Sequence, residues 1–233
     1  MCPANFMAVA QVLIGVCLVF NPVLPGRCES VSPATSTKTI LLPEPRYAGN
    51  VSVEQALRER RSVRSYKDAP LDKTEISQVL WSAQGITSTR GFRTAPSAGA
   101  LYPLELYLIA GNVKNLSPAI YKYSPREHAL REIVSGDRRS DLSRAALHQG
   151  SIRKAPAIIL FCAAYERTTG KYGQRGIRYV HMEVGHAAQN VCLQAIALGL
   201  HTAVIGAFRE EEVKAIVNLP ADEQPLYFVP VGR

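Results

Sequence analysis

K-Y-G-Q-R-G-I-R-Y-V-H-M-E-V-G-H-A-A-Q-N-V-C-L-Q-A-I-A-L-G-L-H-T-A-V-I-G-A-F, residues 171–208, is the stretch whose periodicity decides the fold. Val180, Val184, Ala187, Ala188, Val191, Ala195 and Leu198 recur at helical spacing, which predicts one long helix over residues 178–198. Gly185, Ala187, Ala188, Ala195 and Ala197 keep its apolar stripe small, and small side chains let a second backbone come close. The helix should therefore be central and packed on more than one side. Gly199 is placed to stop it, since the residue after a helix end commonly turns left-handed. Residues 201–205 then read as a strand and Gly206-Ala207 as a tight turn. Ahead of the helix come Lys171, Tyr172, Arg175, Arg178 and Tyr179. Two readings fit them: a solvated loop before a core helix, or a site built where that helix begins.

Outward from this stretch, the 233 residues suit one domain plus a leader, and a hydrophobic fraction of 47% supports a substantial core. The net charge of +8 admits an anionic partner: nucleic acid, a phosphate-bearing cofactor or acidic lipid. The charges form no long block and no nucleic-acid motif is present, so no nucleic-acid partner is expected. Of five cysteines, Cys162 and Cys192 lie in apolar segments and read as buried thiols. There is no C-x-x-C pair. His181 and His186, five apart, do not share one helical face, so both read as structural and no metal site is expected.

Residues 1–28 read as a signal peptide or N-terminal membrane tether. Their apolar run, residues 6–20, is shorter than the roughly 20 residues a membrane span needs. No Lys or Arg precedes it, and Arg27 directly before Cys28 does not fit a lipoprotein cleavage site. The expectation is export (periplasmic or extracytoplasmic) or tethering, with membrane contact through this segment alone, or cytoplasmic residence if the true start is internal. Residues 29–47, rich in Ser, Thr and Pro, read as a linker, leaving residues 48–233 as the folded domain.

Ser52-Val53-Glu54-Gln55 has capping-box form and opens a short helix over residues 53–59. It runs into R-R-S-V-R-S-Y, residues 60–66. Arg60, Arg61 and Arg64, with the Ser62 hydroxyl, could converge on one phosphate through bidentate guanidinium contacts. The same arginines would also complement a helix C-terminus. A second helix is predicted over residues 74–83, then A-P-S-A-G-A-L-Y-P (residues 95–103) and a strand over residues 104–110. Residues 119–123 and 129–134 form a hairpin, residues 137–148 an amphipathic helix, and residues 157–164 a central strand. A helix over residues 210–217 and a strand over residues 226–231 complete an α+β sandwich, with a mixed central sheet flanked by helices around the long one.

The ordered motifs R-R-S-V-R-S-Y, P-S-A-G-A-L-Y-P, K-Y-G-x-R-G-x-R-Y with E-x-G-H-x-x-Q-N, and I-G-A-F resemble the nitroreductase family over residues 51–233. Ala100 and Tyr102 stand where the broad family often has Asn and Gln. In this the chain is similar to the SagB-type, azoline-oxidising dehydrogenase branch. The resemblance implies an FMN-binding flavoprotein, dimeric, with the flavin between subunits. It implies that Arg60, Arg61, Ser62 and Arg64 take the phosphate, and that Pro96, Ser97, Ala98 and Gly99, with Gly206 and Ala207, lie against the ring. It further implies that Lys171 and Tyr172 are the catalytic pair, one of them working as acid or base beside the substrate. The activity implied is that of an FMN-dependent oxidoreductase cycling its flavin by hydride transfer between a donor and a small organic or peptide substrate. No G-x-G-x-x-G fingerprint is present, although NAD(P)H could serve as donor directly over the flavin. Two other readings stay open: a non-catalytic flavin-fold subunit of a peptide-modifying complex, and Lys171 as an ordinary surface lysine.

Overall fold

The computed structural model describes residues 39–233. Its centre is β5 (Ala157–Ala164), buried along its whole length, as a continuous apolar run requires. It pairs antiparallel with β2 (Leu104–Ala110) on one side and with β7 (Glu223–Gly232) on the other. With β1 (Thr39–Leu41), β3 (Ala119–Ser124), β4 (Ala129–Ser135) and β6 (His201–Thr202), the described strands form one sheet in the order β1-β4-β3-β2-β5-β7-β6. Every pairing between these strands is antiparallel. The mixed character expected of the sheet is confined to isolated parallel bridges, Ser62 to Thr202 and Leu71 to Val113.

Strand alternation divides the core between two faces. Leu104, Leu106 and Leu108 of β2 pack with α2 (Lys73–Gln84) and α6 (Arg175–Ala197). Tyr107 and Ile109 face the other way, toward α3 (Arg139–Ala145), α4 (Gly150–Lys154) and α7 (Glu210–Val217). The result is a three-layer α+β body. The predicted bounds of β2, β5, α7 and α1 (Val53–Glu59) match those observed. The helix predicted over residues 137–148 is shorter, α3 alone, because Leu147 and His148 take φ of 55° and 61°; α4 begins beyond it.

The long helix starts three residues before the predicted bound, and Gly199 follows its end at φ 69°. Val180, Val184, Ala187, Ala188, Val191 and Ala195 are its buried stripe. Gly185 is not part of it: the residue is exposed, and an added Cβ would meet nothing within 4 Å. The small residue that admits a neighbouring backbone is Gly176, where an added Cβ would lie 2.9 Å from backbone atoms of Thr168 and Thr169.

The segment read as a linker contributes to the body. Thr39–Leu41 pairs with β4, Leu42 is buried, and the Arg46 amide donates to Gln78 Oε1 at 2.7 Å. The signal-peptide reading is withdrawn. Residues 1–28 lie outside the described residues, and among those described no helix is long and apolar enough to cross a membrane. The apolar run itself is also too short for a span and has no preceding cation.

His128 fastens the N-terminal segment to the sheet. Its Nε2 lies 3.0 Å from the Pro43 carbonyl oxygen and 2.6 Å from Ser77 Oγ, and its Nδ1 lies 2.9 Å from the Tyr123 hydroxyl. With Nδ1 accepting from Tyr123, Nε2 donates, so one neutral tautomer serves every contact. Burial is the main cause holding the imidazole pKa below its ordinary value. The unfolded chain therefore takes up this proton first as pH falls, and the His128 contribution to stability is lost below about pH 6.5. Urea melts at pH 8 and pH 5 should show a drop at pH 5 that is smaller in His128→Gln.

Candidate active site

Two groups of predicted site residues gather along α6, and a third lies just past β6, where Ile205 bridges Phe228 of β7. The first is built on α5 (Glu166–Tyr172), which delivers Lys171 and Tyr172 from its last turn. The helix then stops at Gly173, whose φ is 56°. Both side chains reach the turn over residues 96–99. An added Cβ on Gly99 would lie 2.8 Å from the Tyr172 hydroxyl and 3.0 Å from Lys171 Nζ. The Tyr172 ring meets Tyr179 of α6 edge-on at 5.1 Å. The structure thus brings together Pro96-Ser97-Ala98-Gly99 and Lys171-Tyr172, which are far apart in sequence.

That turn is held in an uncommon shape. Gly99, Ala100 and Tyr102 have φ of 64°, 53° and 47°, a left-handed region that costs side-chain-bearing residues energy. Ser97 Oγ accepts from the Tyr102 amide at 2.9 Å, and Arg167 of α5 donates to the Tyr102 carbonyl oxygen at 3.1 Å. The Arg93 guanidinium stacks on the Tyr102 ring at 4.5 Å. Arg167 also pairs with Glu105 at 2.6 Å, tying α5 to β2.

Glu183 is the residue that sequence reading left out of the site. It faces this turn from α6, is 3% exposed, and has one carboxylate oxygen with no hydrogen-bond partner among the described residues. Burial pushes its pKa up to about 7, against the Ser97 hydroxyl and the Arg93 guanidinium, which favour the charged form. The available signal was a carboxylate on the helix's apolar face, one turn from Val180 and Ala187.

The second group sits about 13 Å further along α6, nine residues from Glu183 at Cys192. Ser62 bridges Thr202 of β6, and the Val63 amide donates to the Thr202 carbonyl oxygen at 2.9 Å. Arg60 lies by the buried Cys192 thiol, and Arg64 by Tyr66. Arg61 diverges from the expectation: its guanidinium donates to the carbonyl oxygens of Arg58 at 2.9 Å and Arg60 at 2.7 Å. It therefore caps the end of α1, while Arg60 and Arg64 form no ion pair among the described residues. In the third group, Gly206 lies against the Tyr227 ring and the Ala207 carbonyl oxygen accepts from Gln149 at 3.2 Å. A larger recess of about 430 Å³, between residues 46–53 and the C-terminal half of α6, touches none of these residues.

The model for the nitroreductase family matches residues 57–233. The chain belongs to the nitroreductase family. Its motifs align it with the SagB-type branch. It is 47% identical over 183 residues to MJ1384 of Methanocaldococcus jannaschii, a protein named as a nitroreductase, covering 78% of this chain and 91% of that one. It is 32% identical over 133 residues to the microcin B17-processing protein McbC of Escherichia coli, covering 54% of this chain and 48% of McbC. A crystal structure from Ralstonia eutropha, also described as a nitroreductase, superposes with a TM-score of 0.74 at 26% identity, covering 86% of this chain and 91% of that one. As a nitroreductase-family member the chain is an oxidoreductase in general terms.

Glu183 should titrate near pH 7. The folded protein keeps this proton at pH values where the unfolded chain has released it, so the group's contribution to stability falls as pH rises from about 4.5 to 7. Carbon NMR of the glutamate carboxyls checks the titration. Denaturant melts of Glu183→Gln should lack this part of the slope.

Proposed function

We propose that this nitroreductase-family protein is an FMN-dependent enzyme that cycles hydride between a donor and a small organic or peptide substrate. The observation carrying this reading is the meeting of Lys171 Nζ and the Tyr172 hydroxyl at Gly99, in a turn without a side chain at its tip. Glycine there makes room for both side chains to reach the turn, so two groups able to move a proton stand together at the backbone expected to lie against the ring. The residues present fit FMN. Arg60 and Arg64, which form no ion pair among the described residues, supply cations for a phosphate at the β6 edge, with the Ser62 hydroxyl as a further ligand. Arg61 shapes that corner by closing α1. Pro96, Ser97, Ala98 and Gly99 on one side, with Gly206 and Ala207 on another, supply close backbone approach.

When bound, the flavin would supply reversible hydride acceptance. The chain's own part is acid–base and positional. Lys171 or Tyr172 would hold or receive the proton at the reacting substrate atom. Glu183, poised near neutrality, would hold a proton behind Ser97, and Arg167 fixes the turn through the Tyr102 carbonyl oxygen.

A homodimer is part of this proposal. Val53 and Leu57 of α1 and Met182 of α6 are 64%, 53% and 51% exposed, apolar surface that a second copy would cover. McbC is named for processing microcin B17, which supports a peptide among the candidate substrates. NAD(P)H is the donor to assay first.

An absorbance spectrum of the purified full chain, with and without added FMN, tests the cofactor. A bound yellow chromophore released as FMN on denaturation is expected. Arg60→Ala with Arg64→Ala should strip it while leaving the circular dichroism spectrum unchanged; equal retention would refute the phosphate assignment. Lys171→Ala with Tyr172→Phe should retain FMN and lose roughly 10²–10⁴ in turnover with NAD(P)H and quinone or nitroaromatic acceptors. If the double variant turns over like the parent, or if the parent binds FMN without any turnover, the non-catalytic subunit reading replaces this one.

A further inference from the structure

Beside the turn lies a recess that the flavin reading does not use. The β2–β3 ladder stops at the pair Tyr107 and Lys122, although β2 begins at Leu104 and β3 runs on to Ser124. Beyond that pair the two strands are no longer matched, and a cavity of about 240 Å³ opens between their ends. That volume holds an amino-acid side chain or a chain terminus, and is small beside the pockets that take drug-sized ligands.

Its charges are unequal. Arg93, Lys122 and Arg131 line it against one carboxylate, Glu105. Glu105 is already engaged by Lys122 at 3.2 Å and Arg167 at 2.6 Å, and Lys122 also meets Glu223 at 2.5 Å. Arg93 and Arg131 form no ion pair among the described residues. Arg131 stands directly opposite Lys122 in the β3–β4 register, a like-charge pairing that costs stability unless an anion offsets it. Arg93 is held rigidly, by Gln84 Oε1 at 2.8 Å and by the Tyr102 ring. A fixed guanidinium fork with unassigned donors loses little entropy on binding a carboxylate in a bidentate way.

We propose that this recess is a carboxylate subsite, with Arg93 and Arg131 as its anchors, that receives an acidic group of the substrate next to the residue 96–99 turn. The assignment of the bound group to a substrate rests on the oxidoreductase reading. The binding itself does not, and is measured without any turnover.

The test uses the full chain labelled with ¹⁵N, observing arginine Nε–H resonances. Three probes are titrated: N-acetyl-glutamate methylamide for a side-chain carboxylate, N-acetyl-alanine for a terminal one, and N-acetyl-glutamine methylamide as the uncharged counterpart. One of the two acids should bind at least tenfold more tightly than the amide and shift the Arg93 and Arg131 signals; which acid wins identifies the source of the carboxylate. Arg131→Gln, at an exposed position, and Arg93→Gln should each remove most of that preference. Equal binding of acids and amide, or a preference that survives Arg131→Gln, overturns the proposal. So does displacement by chloride as effective as by either acid. Loss of FMN uptake in the parent would bear on the functional reading alone and would leave these titrations unaltered.

Discussion

The contact on which the active-site geometry depends is the approach of the α5 backbone to α6 at Gly176. An added Cβ there would stand 2.9 Å from main-chain atoms of Thr168 and Thr169, which cannot swing aside as a side-chain end can. Left to itself, Glu166–Tyr172 is a poor helix: two threonines and a glycine fill its centre, and it is only seven residues long. Packing on α6 and the Arg167–Glu105 ion pair hold it in place. Lys171 and Tyr172 sit at the end of that element, so their meeting with Gly99 follows from the absence of one methyl group on α6.

Around this contact the fold keeps charges that do not close on one another. Among the described residues, Glu183 is buried with one unbonded oxygen, and Arg93 lies nearby and forms no ion pair. Each favours the charged form of the other through space, but no bidentate bridge neutralises them. Burying charge in this way costs several kcal/mol per unpaired ion in the limiting case. A closed ion pair between them would hold the carboxylate charged and leave it without a proton near neutral pH. The left-handed backbone at Ala100 and Tyr102 is a second cost borne by the same turn. Left-handed backbone occurs elsewhere, as at Leu147 and His148, but at this end of α6 it coincides with a buried carboxylate whose proton sits near neutrality.

The sequence made the layered body legible because its signals are local. An eight-residue apolar run at Ala157–Ala164, the mostly apolar Leu104–Ala110 and a glycine after the long helix each act within one element. What stayed hidden depends on tertiary contact. Helix α5 has weak propensity and exists through Gly176. Thr39–Leu41 is a strand because β4 offers it an edge, in a segment whose composition looks like linker. Gly185 has the right spacing for the buried stripe, yet it faces outward. Among the arginines, sequence alone could not separate Arg61, which caps α1, from Arg60 and Arg64, which form no ion pair among the described residues. Glu183 was visible as a polar residue on an apolar face, but its tie to Ser97 needed the fold.

One residue joins the strained turn to the splayed strand ends. Arg93 lines the recess and also stacks on Tyr102, whose carbonyl oxygen is held by Arg167. Arg167 in turn holds Glu105, Glu105 holds Lys122, and Lys122 meets Glu223, which also accepts from the Tyr107 hydroxyl at 2.8 Å. This continuous run of charge-assisted contacts spans β7, β3, β2 and α5 and ends on the helix that carries Lys171. An anion drawn onto Arg93 would compete with the through-space pull of Glu105 and Glu183 on the same guanidinium. Occupancy of the recess and the electrostatics of the turn therefore cannot vary independently: any group that neutralises Arg93 removes a cation that keeps Glu183 from rising further, and so favours the proton at the centre of the site.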